Sequence, residues 1–157
     1  MLIARAPSRI DFTGGYTDVS PIIDDFEGLS INITVSLYTW VQAITNSDSK
    51  IRLISKDLQQ IVELPNLDEI VFDGQLDIAK ASLKKFGVTG VELTTWSDVP
   101  LASGMGSSGA YTVAIIGLLN ALTNQRLSKV EIAKVAGSIQ RETGIVGGLQ
   151  DELASAL

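Results

Sequence analysis

Apolar residues alternate with polar ones through much of the first part of the chain and recur at helical spacing in the last part. Leu2–Arg5 opens as a strand. A polar, glycine-containing loop follows from Ala6 to Pro21, and then Leu29–Val35, Leu37–Thr45, Lys50–Ser55 and Gln60–Leu64, rich in Ile, Val and Thr, predict a meandering sheet. Val91–Trp96 returns to strand.

Helices fill most of the remainder. Asp77–Phe86 carries Ile78, Ala79, Ala81, Leu83 and Phe86 and meets Gly87, which predicts a short helix closed by a glycine C-cap. After a loop from Ser97 to Gly106, Ser107–Leu122 is apolar almost all round and predicts a helix buried between other elements. Ser128 and Glu131 have capping-box spacing, and Val130, Ile132, Val135, Ala136 and Ile139 form the stripe of an amphipathic helix. A last helix is expected from Gly148 onward, with Leu149, Leu153, Ala156 and Leu157 on one stripe and Asp151 on the opposite side. Sheet first and helices packed on it make a two-layer α+β domain, and neither a repeat nor a linker divides it.

Composition narrows the chemistry. The 157 residues suffice for one domain with a real core, and 45% hydrophobic with 19% charged residues argues against disorder. A net charge of −6 without a basic cluster excludes nucleic acid as a partner. No apolar run is long enough to cross a bilayer and the N-terminus lacks signal-peptide architecture, so the expected location is cytoplasmic. The absence of Cys and His removes disulfides, thiol nucleophiles and His-based triads, leaving carboxylates, Arg, Lys, hydroxyls, backbone amides or a borrowed metal ion.

Three segments offer such groups. Ser103-Gly104-Met105-Gly106-Ser107-Ser108-Gly109-Ala110 lies between a strand and a buried helix. Small residues there let backbone N–H groups converge at a helix N-terminus, which is an anion site. The loop has neither P-loop nor Rossmann spacing, and without a lysine it needs a divalent cation beside a triphosphate. A plain loop whose small residues serve packing is the alternative. Ala6–Asp18 sets Arg9, Asp11 and Asp18 around Gly14-Gly15; it suits stabilisation of a moving phosphoryl group and hydrogen bonding to sugar hydroxyls, or else an Asx-type turn with a solvated ion pair. Gly147–Glu152 puts Asp151 in the first turn of a helix, where the dipole favours an ionised base, or where an acid simply starts a helix in solvent.

Together, in this order, the segments resemble the GHMP kinases, the superfamily of galactokinase, homoserine kinase, mevalonate kinase and phosphomevalonate kinase. Pro100–Ala110 is similar to the family's Pro-x-x-x-Gly-Leu-Gly-Ser-Ser-Ala-Ala motif, with Met105 for Leu and Gly109 for the first Ala. Gly14-Gly15-Tyr16-Thr17-Asp18 resembles the Gly-Gly-Gly-Thr-Asp of heptose and fucose kinases, and Gly147-Gly148-Leu149-Gln150-Asp151-Glu152 their Gly-Gly-x-Gln-Asp-Gln. The resemblance implies a sheet with packed helices of the ribosomal-protein-S5 domain 2 type. Residues 1–157 would be the N-terminal ATP-binding domain, cut within the catalytic helix and lacking the C-terminal domain.

The implied reaction is phosphoryl transfer from ATP, with Mg²⁺, to a sugar or sugar-phosphate hydroxyl, the fragment alone being inactive. Asp151 matches the catalytic aspartate, as base or only as orienting group, and Arg9 the arginine that assists it. Ser103, Gly104, Met105, Gly106, Ser107, Ser108 and Gly109 match the nucleotide loop. Asp18, with Gly14, Gly15, Tyr16 and Thr17, matches the sugar-contacting segment. Ser108 and Glu142 are the metal candidates, although the family's metal-binding Glu falls near Gln140 here, and Glu152 stands where Gln is customary. Expected partners are a small sugar, a second copy or the missing domain. The alternatives are a non-catalytic interaction or dimerisation module and a kinase for a non-sugar alcohol such as mevalonate or homoserine.

Overall fold

The computed structural model describes residues 1–157. In chain order the elements are β1 (Leu2–Thr13), α1 (Ile22–Asp25), β2 (Ile31–Thr45), β3 (Ile51–Ser55), β4 (Gln60–Leu64), α2 (Asp77–Phe86), β5 (Val91–Ser97), α3 (Ser107–Thr123), α4 (Lys129–Glu142) and α5 (Gln150–Ala156). The strands form one sheet in the order β1-β2-β5-β3-β4, with β3 and β5 parallel and the other neighbours antiparallel. The expected α+β architecture is therefore what the chain adopts.

Two stretches differ from the sequence reading. The segment from Ala6 continues as strand to Thr13, because β2 supplies a partner along its whole length, from Leu2 opposite Ala43 to Thr13 opposite Ile31. Leu29–Val35 and Leu37–Thr45 are not two strands: Ile31–Thr45 runs through Ser36 as one, since the same long partner continues past that residue. Polar residues in β1 hid this pairing, which is long-range and leaves no local signature.

One face of the sheet is closed by helices. Val41 and Ala43 of β2, Ile51 and Leu53 of β3, and Val91 and Leu93 of β5 point to the same side at two-residue spacing and join Leu83 of α2 and Ile115, Ile116 and Leu119 of α3 in the core. Each of these α3 side chains is fully buried and contributes roughly 1.5–3 kcal/mol. α3 touches β1, β2, α2, α4 and α5, so it is the central helix that its apolar sequence predicts. α2 ends on Gly87 in the left-handed region (φ 65°), and α4 starts with the complete Ser128–Glu131 capping box. The far face of the sheet carries Trp40 stacked on Trp96, ring centroids 6.0 Å apart.

Candidate active site

The site forms where the middle of β1, the start of α3 and the start of α5 meet. β1 slips register between Pro7 and Arg9, a bulge that re-aims the strand there. The Arg9 backbone N–H donates to the Met105 carbonyl at 3.0 Å, docking the strand on the Gly-rich loop. Its guanidinium then does two things. Nη1 donates to the Gly104 carbonyl at 2.7 Å, while Nε and Nη2 both reach Asp151 Oδ1, at 2.8 and 2.7 Å.

The loop itself delivers an uncapped helix. Gly106 takes the N-cap position with φ 67°, where the left-handed backbone favours glycine, and no side chain caps α3. A side chain at Gly106 would also press on Arg9, whose Cγ and Cζ lie 3.2 Å from the position of an added Cβ. The first N–H groups of a seventeen-residue helix therefore have no side-chain acceptor, and the positive end of the dipole is open. Gly109 is buried in the same first turn, and a Cβ there would stand 2.7 Å from Cβ of Asp151. Glycine at this position lets α5 approach the anion-binding turn.

The segment after β1 folds onto α5. Thr17 N–H and Oγ1 both donate to the Gly14 carbonyl, at 3.1 and 2.7 Å, closing a tight turn. Asp18 emerges from that turn, and its Oδ2 accepts from the backbone N–H groups of Leu149 and Gln150 at 2.7 and 2.8 Å. Leu149 packs against Gly137 of α4.

These residues enclose a cavity of about 410 Å³ lined by Arg9, Asp11, Gly15, Tyr16, Asp18, Gly104, Gly106, Ser107, Ser108, Gln140, Gly147, Gly148, Gln150, Asp151 and Glu152, among others. Two of its lining residues have buried acceptors without a partner, Asp11 Oδ1 and Gln150 Oε1. Such atoms are costly unless a ligand supplies donors. Glu152 is 3% exposed, and burial pushes its carboxyl up to about 7, with the negative charges of Asp151 and Asp18 adding to the effect and Arg141 opposing it.

A second cavity, about 390 Å³, lies on the other side of the loop and is lined by Leu58, Leu76, Ile78, Leu101 and Tyr111 together with Thr39, Ser55, Asp57, Thr95 and others. Burial pushes the Tyr111 phenol up, so it stays neutral. Ser107 and Ser108 line both cavities. The loop thus separates a polar chamber from a largely apolar one.

Of the residues singled out from sequence, Arg9, Asp151, Asp18, Gly15, Tyr16, Gly104, Gly106, Ser107 and Ser108 converge on the polar chamber. Ser103, Met105, Gly109, Gly14 and Thr17 shape the turns behind it and do not line it. Glu142 is exposed at the end of α4 and does not reach the chamber; Gln140 does, its Nε2 donating to Thr112 Oγ1 at 3.1 Å. No group of three or more acidic side chains is disposed to hold a metal ion. Of the stripe expected on α5, Leu149 packs on Gly137 of α4 and Ala156 lies against the core, but Leu157 is exposed and the buried positions of the helix are Glu152 and Ser155, because the helix also rests on α3 and β1. Sequence reasoning missed the burial of Glu152 and the whole apolar chamber, whose walls come from five separate segments.

Comparison with known proteins adds to this geometry. The family model described as GHMP kinases N terminal domain matches residues 75–157. A D-glycero-alpha-D-manno-heptose 7-phosphate kinase of Campylobacter jejuni is 35% identical over 96% of this chain and 47% of its own length. A galactokinase of Chloroflexus aurantiacus is 32% identical over 99% of this chain and 40% of its own. The crystal structure of a D-glycero-D-manno-heptose 1-phosphate kinase from Bacteroides thetaiotaomicron superimposes with a TM-score of 0.90 at 27% identity, covering 99% of this chain and 53% of that one. The chain spans about half the length of the curated relatives it matches.

Proposed function

The chain belongs to the GHMP kinases, and from that premise we propose that residues 1–157 are the nucleotide-binding domain of a kinase that transfers a phosphoryl group from MgATP to a hydroxyl of a sugar or sugar phosphate. One observation carries the reading: the Arg9 guanidinium holds the Gly104 carbonyl of an uncapped helix-start loop and the Asp151 carboxylate at once. An anion site and a carboxylate are thereby fixed side by side in one chamber. Phosphoryl transfer needs mostly this kind of positioning and charge stabilisation.

Each partner of the reaction has a matching surface. The apolar chamber suits a purine ring, and the open N–H groups of α3, with the Ser107 and Ser108 hydroxyls, suit phosphate oxygens. In the polar chamber, the unpartnered acceptors of Asp11 and Gln150 call for hydroxyl donors, which favours a polyol over an acceptor with one hydroxyl. The heptose phosphate kinase and the galactokinase, both above 30% identity, point the same way, while mevalonate kinases match at 25–27%.

Asp151 Oδ1 is committed to Arg9. Its other oxygen is the group that orients the acceptor hydroxyl or takes its proton, while Arg9 holds the carboxylate in place. A divalent ion would enter as the counter-ion of the nucleotide, with Ser108, which lines the chamber at the start of α3, as its hydroxyl ligand.

The test is unfolding of the chain with and without MgATP, followed by a screen of sugars and sugar phosphates for ADP release by the chain joined to the C-terminal half of a relative. At saturating MgATP a stabilisation of a few kcal/mol is expected, roughly 2.7 kcal/mol at a hundred times Kd. A folded chain whose melting temperature ignores millimolar MgATP overturns the proposal.

A further inference from the structure

The helix that carries Asp151 cannot cap itself. Its N-cap residue is Leu149, which has no polar side chain, and the two residues before it are Gly147 and Gly148, which have no side chain at all. The first N–H groups of a helix need an acceptor, and leaving them bare beside a half-closed chamber is unfavourable. The acceptor comes from far away in the chain: Asp18 Oδ2 takes the Leu149 and Gln150 N–H groups at 2.7 and 2.8 Å, across sequence separations of 131 and 132 residues.

Gly148 bears out how close this docking is. A Cβ on Gly148 would fall on the Asp18 carboxylate itself, so glycine there is a condition of the contact. On the apolar side Leu149 is wedged against Gly137 of α4. Gln150 is followed directly by Asp151, which in turn meets Arg9. A path of bonded and hydrogen-bonded atoms therefore runs from the Gly14–Asp18 turn to the carboxylate at the centre of the site.

We propose that Asp18 is a positioning residue for Asp151: its carboxylate caps α5 from the first loop and so fixes where Asp151 meets Arg9. The negative charge also suits the positive end of the helix. This inference rests on the reading of Asp151 as the reacting carboxylate, and it gives Asp18 a role other than direct contact with a sugar. It also couples the two halves of the chamber. Whatever moves the Gly14–Asp18 turn moves Asp151.

The experiment is proton–nitrogen NMR on the 157-residue chain without nucleotide or acceptor, so that its outcome is independent of whether the chain phosphorylates anything. Two signals are followed: hydrogen exchange at the Leu149 and Gln150 amides, and the Arg9 Nε–H resonance, which reports the bond to Asp151. In Asp18→Ala the two amides should exchange at least about tenfold faster, as expected for lost bonds to a charged acceptor, and Arg9 Nε–H should move toward the position of a free guanidinium. Asp18→Asn, which retains an acceptor oxygen in place, should keep both signals near those of the parent. A lower melting temperature with Arg9 Nε–H unmoved would reduce Asp18 to a structural residue and overturn the proposal. If Asp18→Ala does not fold, Gly148→Ala supplies the same displacement with Asp18 intact. An unmoved Arg9 Nε–H signal in that variant overturns it equally.

Discussion

Glu152→Gln should make the protein more stable at pH 8 and leave it nearly unchanged at pH 5. Glu152 is buried beside Asp151 and Asp18, and its carboxyl is pushed from an ordinary value of 4.5 up to about 7. A carboxyl with a raised folded pKa binds more protons folded than unfolded between those two values, so the stability it confers falls as pH rises through that window. Below about 4.5 it is neutral in both states and costs nothing; above about 7 the full penalty of a buried charge is present. Each pKa unit is worth about 1.36 kcal/mol, which sets a ceiling near 3.4 kcal/mol. Glu152 lines a chamber open to water, and solvation there reduces the penalty to about 1–2 kcal/mol. For a chain of this length that corresponds to roughly 2–8 °C in melting temperature. The assay is urea unfolding of parent and variant at several pH values from 5 to 8.5, comparing midpoints at equal slope. A difference independent of pH, or a parent more stable than the variant at pH 8, would refute the reasoning.

Four further outcomes are expected. Arg9→Ala removes the partner of Asp151 and of the Gly104 carbonyl; because the pair is only partly buried, the loss should be about 1–2 kcal/mol by urea unfolding, and Arg9→Lys should recover less than half of it, since a single nitrogen cannot stand both where Nη1 meets the Gly104 carbonyl and where Nε and Nη2 meet Asp151. Gly109→Ala raises helix propensity by about 1 kcal/mol yet brings a Cβ within 2.7 Å of Asp151, so a net loss of about 1–2 kcal/mol is predicted and a gain would contradict the close approach of α3 and α5. Ser128→Ala breaks the capping box of α4 and should cost about 1 kcal/mol in thermal unfolding while leaving the response to MgATP unchanged. Ser108→Ala should weaken MgATP binding about tenfold by calorimetry with little effect on stability, as loss of one hydrogen bond to a charged ligand implies.

What could be read from the sequence was whatever is decided within a few residues. Alternation in β3, β4 and β5, the Gly87 stop of α2, the apolar girth of α3 and the Ser128–Glu131 box of α4 are local properties, and each appears where the pattern puts it. Elements made by distant partners were less legible. β1 extends to Thr13 only because β2 lies beside it, and no residue between Ala6 and Thr13 announces that neighbour. The chamber follows the same division. Its Gly-rich loop and its acid-bearing helix are local motifs, but the ion pair of Arg9 with Asp151 and the cap from Asp18 to Leu149 join residues more than 130 positions apart.

Glu152 marks the point where local logic fails for a reason. On a seven-residue helix with Leu153 and two alanines available, packing alone would turn an apolar side inward, yet the buried positions are Glu152 and Ser155. Ser155 earns its place by donating to the Pro7 carbonyl at 2.9 Å, which ties α5 to β1 just ahead of Arg9. Glu152 has only a backbone N–H, its own, to offset its burial, and it stands near two other acids at a cost to stability. Departures of this kind collect where a chain keeps polar groups for chemistry at the expense of its core. The helix is therefore oriented by its site: Asp18 and Arg9 hold its first turn, Ser155 its last, and Leu153 takes a position that remains.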